Sequence, residues 1–187
     1  MIRVLVVDHH PAVRAGLQAF LLTEPGFVYA GDCDGGASLV SALHRAHPDV
    51  VLLDAAPRRG GLQLCHRLKQ EAPAVKVVIF AAEAIDELLL PARLAGADGL
   101  IDKGTGAREL FESLRRISRG ECLIDRPPAT VLRDALARVP ADQRVLAGLL
   151  LDGTPEADAA RALGMTVQNV RHGVHRVLGA WHAAGWA

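Results

Sequence analysis

Apolar and polar residues alternate in a regular way over the first 120 residues of the chain. Five short runs are rich in Val, Ile and Leu, which is typical of buried β-strands. These runs lie at residues 2–7, 27–30, 50–53, 75–80 and 99–101. Between the runs, apolar residues recur at intervals of three and four, which marks one face of a helix. The alternation predicts an α/β fold, a doubly wound five-stranded parallel sheet with helices on both faces.

The pattern changes after residue 120. A break that contains Gly120 and the pair Pro127 and Pro128 precedes a short helical stretch at residues 129–138. Proline and glycine interrupt regular structure, so we interpret this part as a linker that carries a helix. Three further helical segments follow, at residues 141–151, 156–163 and 167–181.

The last two helical segments form a pattern of their own. Gly164 separates them by a tight turn, and Thr166 is well placed to cap the third segment. A short helix, a glycine turn and a longer helix are typical of a helix-turn-helix. We therefore expect an α/β domain at residues 1–120, a linker at 121–139 and a small all-α helix-turn-helix domain at 140–187.

Composition supports two globular domains in the cytoplasm. Of the 187 residues, 50% are hydrophobic and 22% are charged, so each domain can bury a core. No apolar stretch approaches the ~20 residues of a membrane span, and the N-terminus resembles a strand more than a signal peptide. The three cysteines are widely spaced, which argues against a disulfide framework and against a zinc ribbon.

The distribution of charge is more informative than its sum. The formal net charge is zero, which by itself argues against a nucleic-acid partner. From Thr166 to the last residue, however, the sequence contains no Asp or Glu, while several Arg and His residues fall there. The positive charge is therefore concentrated in the last helical segment.

Polar residues follow the predicted strands at the edge of the sheet where ligands bind in such folds. Residues 5–11, 51–54 and 95–103 resemble, in that order, three motifs of the receiver domain of bacterial response regulators. The resemblance covers roughly residues 1–120 and implies a flavodoxin-like sheet with strand order 2-1-3-4-5. It also implies that Asp54 corresponds to the phosphoacceptor, Asp8 to one member of an acidic pair and Lys103 to the pocket lysine.

The sequence departs from the receiver pattern at four positions of this pocket. His9 replaces the second acidic residue of the family's pair. Ala81 replaces the Ser or Thr that normally ends the fourth strand, and Leu100 replaces the aromatic residue that changes rotamer in the family on phosphorylation. Pro57 follows Asp54 by three residues where the family usually has four. Since Mg²⁺ prefers oxygen ligands, we regard its binding as doubtful and expect no metal or other cofactor.

These departures predict a receiver that is not switched by Mg²⁺-dependent phosphorylation. An aspartate attacks a phosphoryl group only where the developing negative charge is neutralised, which needs the metal and hydroxyl that this pocket lacks. We expect Asp54 to pair with Lys103, with the His9 imidazolium beside Asp8 and Asp54 in the place of a cation. No arrangement typical of a catalytic triad is present, and we do not expect an enzyme.

The last helical segment presents two faces. Val167, Val170, Val174, Val177 and Trp181 form an apolar face that is expected in the core. The residues that we predict to contact DNA lie on another face. They are Thr166, Gln168, Asn169, Arg171, His172, His175 and Arg176. Gln and Asn can pair with adenine and Arg with guanine or phosphate, so double-stranded DNA is the predicted partner.

Residues 139–181 resemble the LuxR-type effector domain of NarL/FixJ response regulators and, equally, region 4 of sigma factors. The further helix that LuxR-type domains use for dimerisation is expected to be missing. Any homodimer would then form through the receiver face that its family uses, at residues 83–94, the fifth strand and residues 107–118. Gly173 inside the last helix is unusual, because glycine costs about 1 kcal/mol there relative to Ala.

Three hypotheses about function remain open. The first is a DNA-binding transcription regulator whose receiver is controlled by a small-molecule ligand, a partner protein or dimerisation. The second is a conventional regulator switched by phosphorylation in spite of the altered pocket. The third is an interaction protein that binds RNA polymerase or a sigma factor. Salt-dependent DNA binding separates the first two from the third, and phosphorylation of Asp54 separates the first from the second.

Overall fold

The fold is that of a computed structural model, which describes residues 1–36, 38–55, 60–82, 85–125 and 127–183. The strands are β1 (Ile2–Val7), β2 (Phe27–Cys33), β3 (Val50–Asp54), β4 (Lys76–Ala81) and β5 (Gly99–Asp102). The helices of the first part are α1 (Pro11–Thr23), α2 (Ser38–Ala46), α3 (Gly61–Glu71), α4 (Ile85–Leu94) and α5 (Ala107–Ser118). Those of the second part are α6 (Ala129–Ala137), α7 (Arg144–Asp152), α8 (Glu156–Leu163) and α9 (Val167–Ala183).

The five strands form one parallel sheet in the order β2-β1-β3-β4-β5, which confirms the predicted order. The predicted strands are present, and β2 extends three residues beyond the predicted end at residue 30. Its last residues are not an apolar run, but they pair through the backbone with Leu5, Val6 and Val7 of β1. Since β2 lies at the edge of the sheet, backbone pairing continues there without apolar side chains on both faces.

Alternate side chains of the strands enter two apolar layers, one on each face of the sheet. In the first layer, Val4 and Val6 of β1 pack with residues of α1 and α5, such as Leu17 and Leu114. In the second layer, Leu5 and Val7 pack with α2, α3 and α4. Burial on both faces explains why the strands read as continuous apolar runs.

The C-terminal helices differ from the prediction at one point. The helix predicted at residues 141–151 is divided into a 3-10 helix (Ala141–Gln143) and α7. The division begins with an i to i+3 hydrogen bond of 2.8 Å from the Gln143 amide to the Pro140 carbonyl. Such tighter turns are common where a helix starts. The cap predicted at Thr166 is confirmed, since its hydroxyl oxygen accepts from the Asn169 amide at 3.1 Å.

The segment between the two parts packs against both of them. After α5, Leu123 runs alongside β5, where its amide donates to the Asp98 carbonyl at 2.8 Å. Ala135 of α6 is fully buried, and its carbonyl accepts from the Trp181 indole at 3.4 Å. The linker predicted at residues 121–139 is thus a packed part of the protein.

The C-terminal helices also dock on the α/β part directly. Helices α7 and α9 pack against α4, and α9 also contacts α3. Arg93 of α4 donates through Nε to the carbonyl of Leu151 at 2.7 Å. The side chains of both parts belong to one apolar core, which includes Leu90 of α4 and Val177 and Trp181 of α9. This contact joins the two parts into one packed body.

His66 of α3 is buried in this contact. It is 2% exposed, its Nε2 atom has no hydrogen-bond partner among the described residues, and its ring meets that of His175 edge-on at 6.0 Å between centroids. Burial lowers the pKa of His66 below its ordinary value, and the charges of His175 and Arg171 lower it further. Glu156 acts in the opposite direction without overcoming the burial.

Gly173 has a packing role at the crossing of α9 and α7. A Cβ atom added there would collide with the side chain of Leu146 and lie 2.5 Å from Oε1 of Gln143. Both neighbours are buried, so a shift of either side chain would disturb its packing. The glycine that is unfavourable for the helix alone therefore permits a close approach of two helices.

We expect Gly173→Ala to destabilise the protein by about 1–3 kcal/mol, because overpacking outweighs the gain in helix propensity. Gly179→Ala in the same helix is the matched control, since no atom of the described part of the chain lies within 4 Å of its added Cβ. That control should stabilise the protein by up to about 1 kcal/mol. Urea unfolding measures both, and a Gly173→Ala protein as stable as the Gly179→Ala protein would contradict the packing role.

We expect the protein to lose stability as the pH falls below ~6.5, the ordinary pKa of histidine. The pKa of His66 is lower in the folded protein than in the unfolded chain, so the unfolded chain takes up the proton at a higher pH. Stability is therefore lost as the pH falls from the unfolded pKa toward the folded pKa. His66→Leu should reduce this loss, whereas His44→Gln, at an exposed position of α2, should leave it unchanged. Urea unfolding between pH ~8 and ~5 measures it, and equal slopes in wild type and His66→Leu would refute the assignment.

Candidate functional site

Three strand ends bring the predicted pocket residues together. Asp8 follows β1, Asp54 ends β3, and Lys103 follows β5. Parallel pairing sets their positions, since Val7 lies opposite Leu53 in the register of β1 and β3. Backbone hydrogen bonds continue past the strands, from the Asp8 amide to Cys33 at 3.1 Å and from the Lys103 amide to Ala81 at 2.7 Å.

The Lys103 ammonium bridges the two carboxylates. Its Nζ donates to Oδ2 of Asp8 at 2.6 Å and to Oδ1 of Asp54 at 2.8 Å. Burial favours the neutral form of both partners, yet the hydrogen bonds outweigh it: the pKa of Asp8 is lowered and that of Lys103 is raised. The group is therefore a charged cluster, and the predicted pairing of Asp54 with Lys103 is present in it.

His9 lies beside both carboxylates, as the sequence predicted. Its Nδ1 is 2.6 Å from Oδ2 of Asp54 and 3.9 Å from Oδ1 of Asp8. Because a carboxylate only accepts hydrogen bonds, Nδ1 is the donor to Asp54. Both oxygens of Asp54 are thus engaged, one by Lys103 and the other by His9.

His10 is a pocket residue that the sequence analysis missed. Its amide donates to Oδ1 of Asp8 at 2.7 Å, and its Nδ1 lies 3.2 Å from the same oxygen. Its ring is tilted by 45° against that of His9, at 3.6 Å between centroids. The signal was available, since His10 directly precedes Pro11, the first residue of α1, where the chain turns back across the strand ends.

The other departures from the receiver pattern lie around this cluster. Ala81 is buried at the end of β4 and offers a methyl group where the family has a hydroxyl. Leu100 is half-buried in β5 and packs on the core of the α2–α4 face. The expected shortening of the loop at Pro57 lies outside the described residues.

The cluster does not fit Mg²⁺, the ion that the receiver family implies. Lys103 takes one oxygen of each carboxylate, and the remaining oxygens of Asp8 and Asp54 face imidazole nitrogens. Mg²⁺ demands near-octahedral coordination by oxygen and keeps several waters, which this donor set does not provide. A cavity of about 280 Å³ lies next to His9 and Asp54 and is also lined by Asp34.

Most of the predicted DNA-contacting residues are exposed on one side of the C-terminal helices. These are Thr166, Gln168, Asn169, His172, His175 and Arg176. Arg171 differs, because it is half-buried and donates through Nε to Glu156 of α8 at 3.1 Å. Arg176 forms an ion pair with Asp142 of the 3-10 helix. The two arginines predicted to meet DNA therefore have acidic partners within the protein.

Part of this face lies close to the α/β part. His175 meets the buried His66 of α3, and α4 packs against α7 and α9. Helix α4 belongs to the face through which a receiver homodimer was expected, so the protein's own C-terminal helices cover a part of that face.

Among the described residues, no helix is both long and apolar enough to cross a membrane.

Comparisons with known proteins agree with the fold. Residues 4–115 match the family described as the response regulator receiver domain. The DNA-binding transcriptional activator DevR/DosR of Mycobacterium tuberculosis is 30% identical over 189 residues, covering 95% of this chain and 87% of that protein.

Two solved structures extend the comparison to the fold. A two-component response regulator of the LuxR family from an Aurantimonas species is 27% identical with a TM-score of 0.60, covering 75% of this chain and 99% of that one. RcsB of Salmonella enterica serovar Typhimurium, bound to the promoter rprA, is 17% identical with a TM-score of 0.58, covering 97% and 91%. The fold is thus shared over both parts of the chain, and the protein belongs to the response regulator receiver domain family.

Proposed function

We propose that the protein is a DNA-binding transcription regulator of the LuxR/NarL class whose receiver is not switched by Mg²⁺-dependent phosphorylation of Asp54. The observation that carries the second half of this proposal is the state of the Asp54 carboxylate. Lys103 and His9 hold its two oxygens at 2.8 and 2.6 Å. Both hydrogen bonds stabilise the carboxylate and so make it a weaker nucleophile toward a phosphoryl group.

The chemistry around Asp54 supports the same proposal. A transferring phosphoryl group carries negative charge on its equatorial oxygens, which enzymes neutralise with metal ions and directed donors. Here the donor set disfavours Mg²⁺, and the buried methyl group of Ala81 offers no hydrogen bond. Asp8 and Asp54 are instead paired within the protein, both with Lys103 and Asp54 also with His9.

DNA binding is supported by the C-terminal helices and by the relative DevR/DosR, which is named a DNA-binding transcriptional activator. Helix α9 begins at a Thr166 cap and exposes Gln168, Asn169 and His172 opposite its buried apolar face. A capped helix with exposed amide and basic side chains suits the major groove. The protein would act by binding promoters and not by catalysing a reaction.

Control of DNA binding would act through the contact between α3, α4 and α9. A small ligand, a protein partner or a second copy that separated these helices would release His175 and the neighbouring face from the α/β part. An increase in DNA affinity would then require that the effector bind the separated state more tightly than the packed one. The pairs of Arg171 with Glu156 and Arg176 with Asp142 would also exchange their acidic partners for DNA.

We expect Asp54 to remain unmodified after incubation with acetyl phosphate and Mg²⁺, because the pocket lacks the metal site and the hydroxyl. Intact-mass spectrometry measures the addition of one phosphoryl group. A double substitution, His9→Asp with Ala81→Ser, should gain labelling because it supplies the missing carboxylate and hydroxyl. Labelling of the wild type that is absent from Asp54→Asn would favour the conventional, phosphorylation-switched regulator.

We expect two arginines of α9 to contribute differently to DNA affinity. Arg176→Ala should weaken specific and random DNA about equally and reduce the salt slope by roughly one, whereas Arg171→Ala should cost ~1–3 kcal/mol chiefly on the specific site. Arg161→Ala, a loss of the same charge on exposed α8, is the control and should change little. Mobility-shift titrations at several salt concentrations measure these effects on a site selected from random-sequence DNA.

Selection that enriches no sequence, together with unchanged binding in Arg171→Ala, would contradict the DNA-binding assignment. The interaction hypothesis would then take its place, with RNA polymerase or a sigma factor as the partner to test. The two halves of the proposal are independent, because the labelling experiment needs no DNA and the titrations need no phosphoryl donor.

A further inference from the structure

We propose that Asp8, His9, His10 and Asp54 form a binding site for a transition-metal ion of the Zn²⁺ class. The site lies at the strand ends and has a different donor set and a different ion from the Mg²⁺ site that the family implies. Each of the four side chains offers one ligand atom, and these atoms lie within 4.8 Å of one another. The inference goes beyond the proposed function and does not depend on DNA binding.

The distances between the ligand atoms suit a small four-coordinate ion. Zn²⁺ bonds to nitrogen and oxygen at about 2.0–2.2 Å, so tetrahedral ligand atoms lie roughly 3.4 Å apart. In the pocket, Nδ1 of His10 is 3.2 Å and Nδ1 of His9 is 3.9 Å from Oδ1 of Asp8. Nδ1 of His9 is 2.6 Å from Oδ2 of Asp54, so that pair would have to separate by less than 1 Å, roughly, around an ion.

Lys103 leaves the oxygens that such an ion would need. It takes Oδ2 of Asp8 and Oδ1 of Asp54, while Oδ1 of Asp8 and Oδ2 of Asp54 face the imidazoles. The lysine can therefore keep both hydrogen bonds when the other oxygens ligate a metal. Hydrogen bonds of this kind to ligating carboxylates orient them and support binding.

Charge and donor type favour a divalent transition metal over Mg²⁺. Two carboxylates and one ammonium leave one net negative charge when the imidazoles are neutral, and Asp34 lines the adjoining cavity. Two imidazole nitrogens with two carboxylate oxygens suit Zn²⁺, Ni²⁺ or Cu²⁺, whereas Mg²⁺ prefers oxygen alone. The cavity of about 280 Å³ gives an ion access to the site.

The test is calorimetric titration of the full chain with Zn²⁺ after treatment with a chelator, followed by Co²⁺ absorption spectroscopy. We expect one ion per chain with a dissociation constant in the micromolar range or below, and no displacement by millimolar Mg²⁺. His9→Gln and His10→Gln should each weaken binding at least ~10-fold, since each removes one of four ligands. Thermal unfolding of each variant shows whether it is folded.

The double substitution His44→Gln with His47→Gln is the matched control. These two histidines line a different cavity together with Glu71, so they should not contribute to binding. The absence of Zn²⁺ binding by the folded wild type would overturn the proposal. So would binding that survives both His9→Gln and His10→Gln, or that is lost in the control. A thiolate band in the Co²⁺ spectrum would place the ion on a cysteine, such as the exposed Cys122, and would also overturn it.

Any of these failures would leave the proposed function standing, because the titration involves neither DNA nor a phosphoryl donor. Conversely, a protein that binds Zn²⁺ in the pocket but fails to bind any selected DNA would keep the metal site and lose the regulator assignment.

Discussion

One half-buried ammonium group shared by two carboxylates is the interaction on which the functional site depends. Asp8 and Asp54 come to the same edge of the sheet because parallel strands end there, and two adjacent carboxylates repel each other. Lys103 compensates one charge at 2.6 and 2.8 Å, and its raised pKa together with the lowered pKa of Asp8 keeps the cluster charged. One negative charge remains, and the surroundings must meet it.

The identity of the neighbouring residues decides how that remaining charge is met. In a receiver of the usual kind a further carboxylate would add negative charge and call for Mg²⁺. Here His9 donates to Asp54, and His10 turns its ring and its amide toward Asp8. At these strand ends the remaining charge can be met by groups of the protein or by a metal ion with nitrogen ligands. Neither arrangement supplies the Mg²⁺ site that phosphoryl transfer requires.

Docking of the C-terminal helices on α3 and α4 links the remaining features of the protein. One apolar core extends from the sheet into α7 and α9, so the two parts do not behave as separate bodies in this packing. In this contact His66 is buried against His175, and the Arg93 side chain donates a hydrogen bond to the Leu151 carbonyl. Next to this contact, α9 crosses α7 closely at Gly173, where an added Cβ would meet the side chains of Leu146 and Gln143. A signal that reached this contact would alter the position of α9.

The sequence by itself determined the elements and their order, because apolar periodicity and caps act within a few residues along the chain. Strand runs, the Thr166 cap and the meeting of Asp8, Asp54 and Lys103 at one edge all follow from such local signals and from the geometry of parallel sheets. His9 beside Asp54 followed too, since its neighbour in sequence was already placed there.

Only the tertiary structure decided which side chains meet where helices and strands dock on one another. The pairs Arg171 with Glu156 and Arg176 with Asp142, the extension of β2 along β1, and the covering of α4 by α7 and α9 depend on how helices and strands dock. Periodicity identifies a buried face but does not name its partner. Gly173 shows the difference most clearly: unfavourable for an isolated helix, it is required where two helices cross.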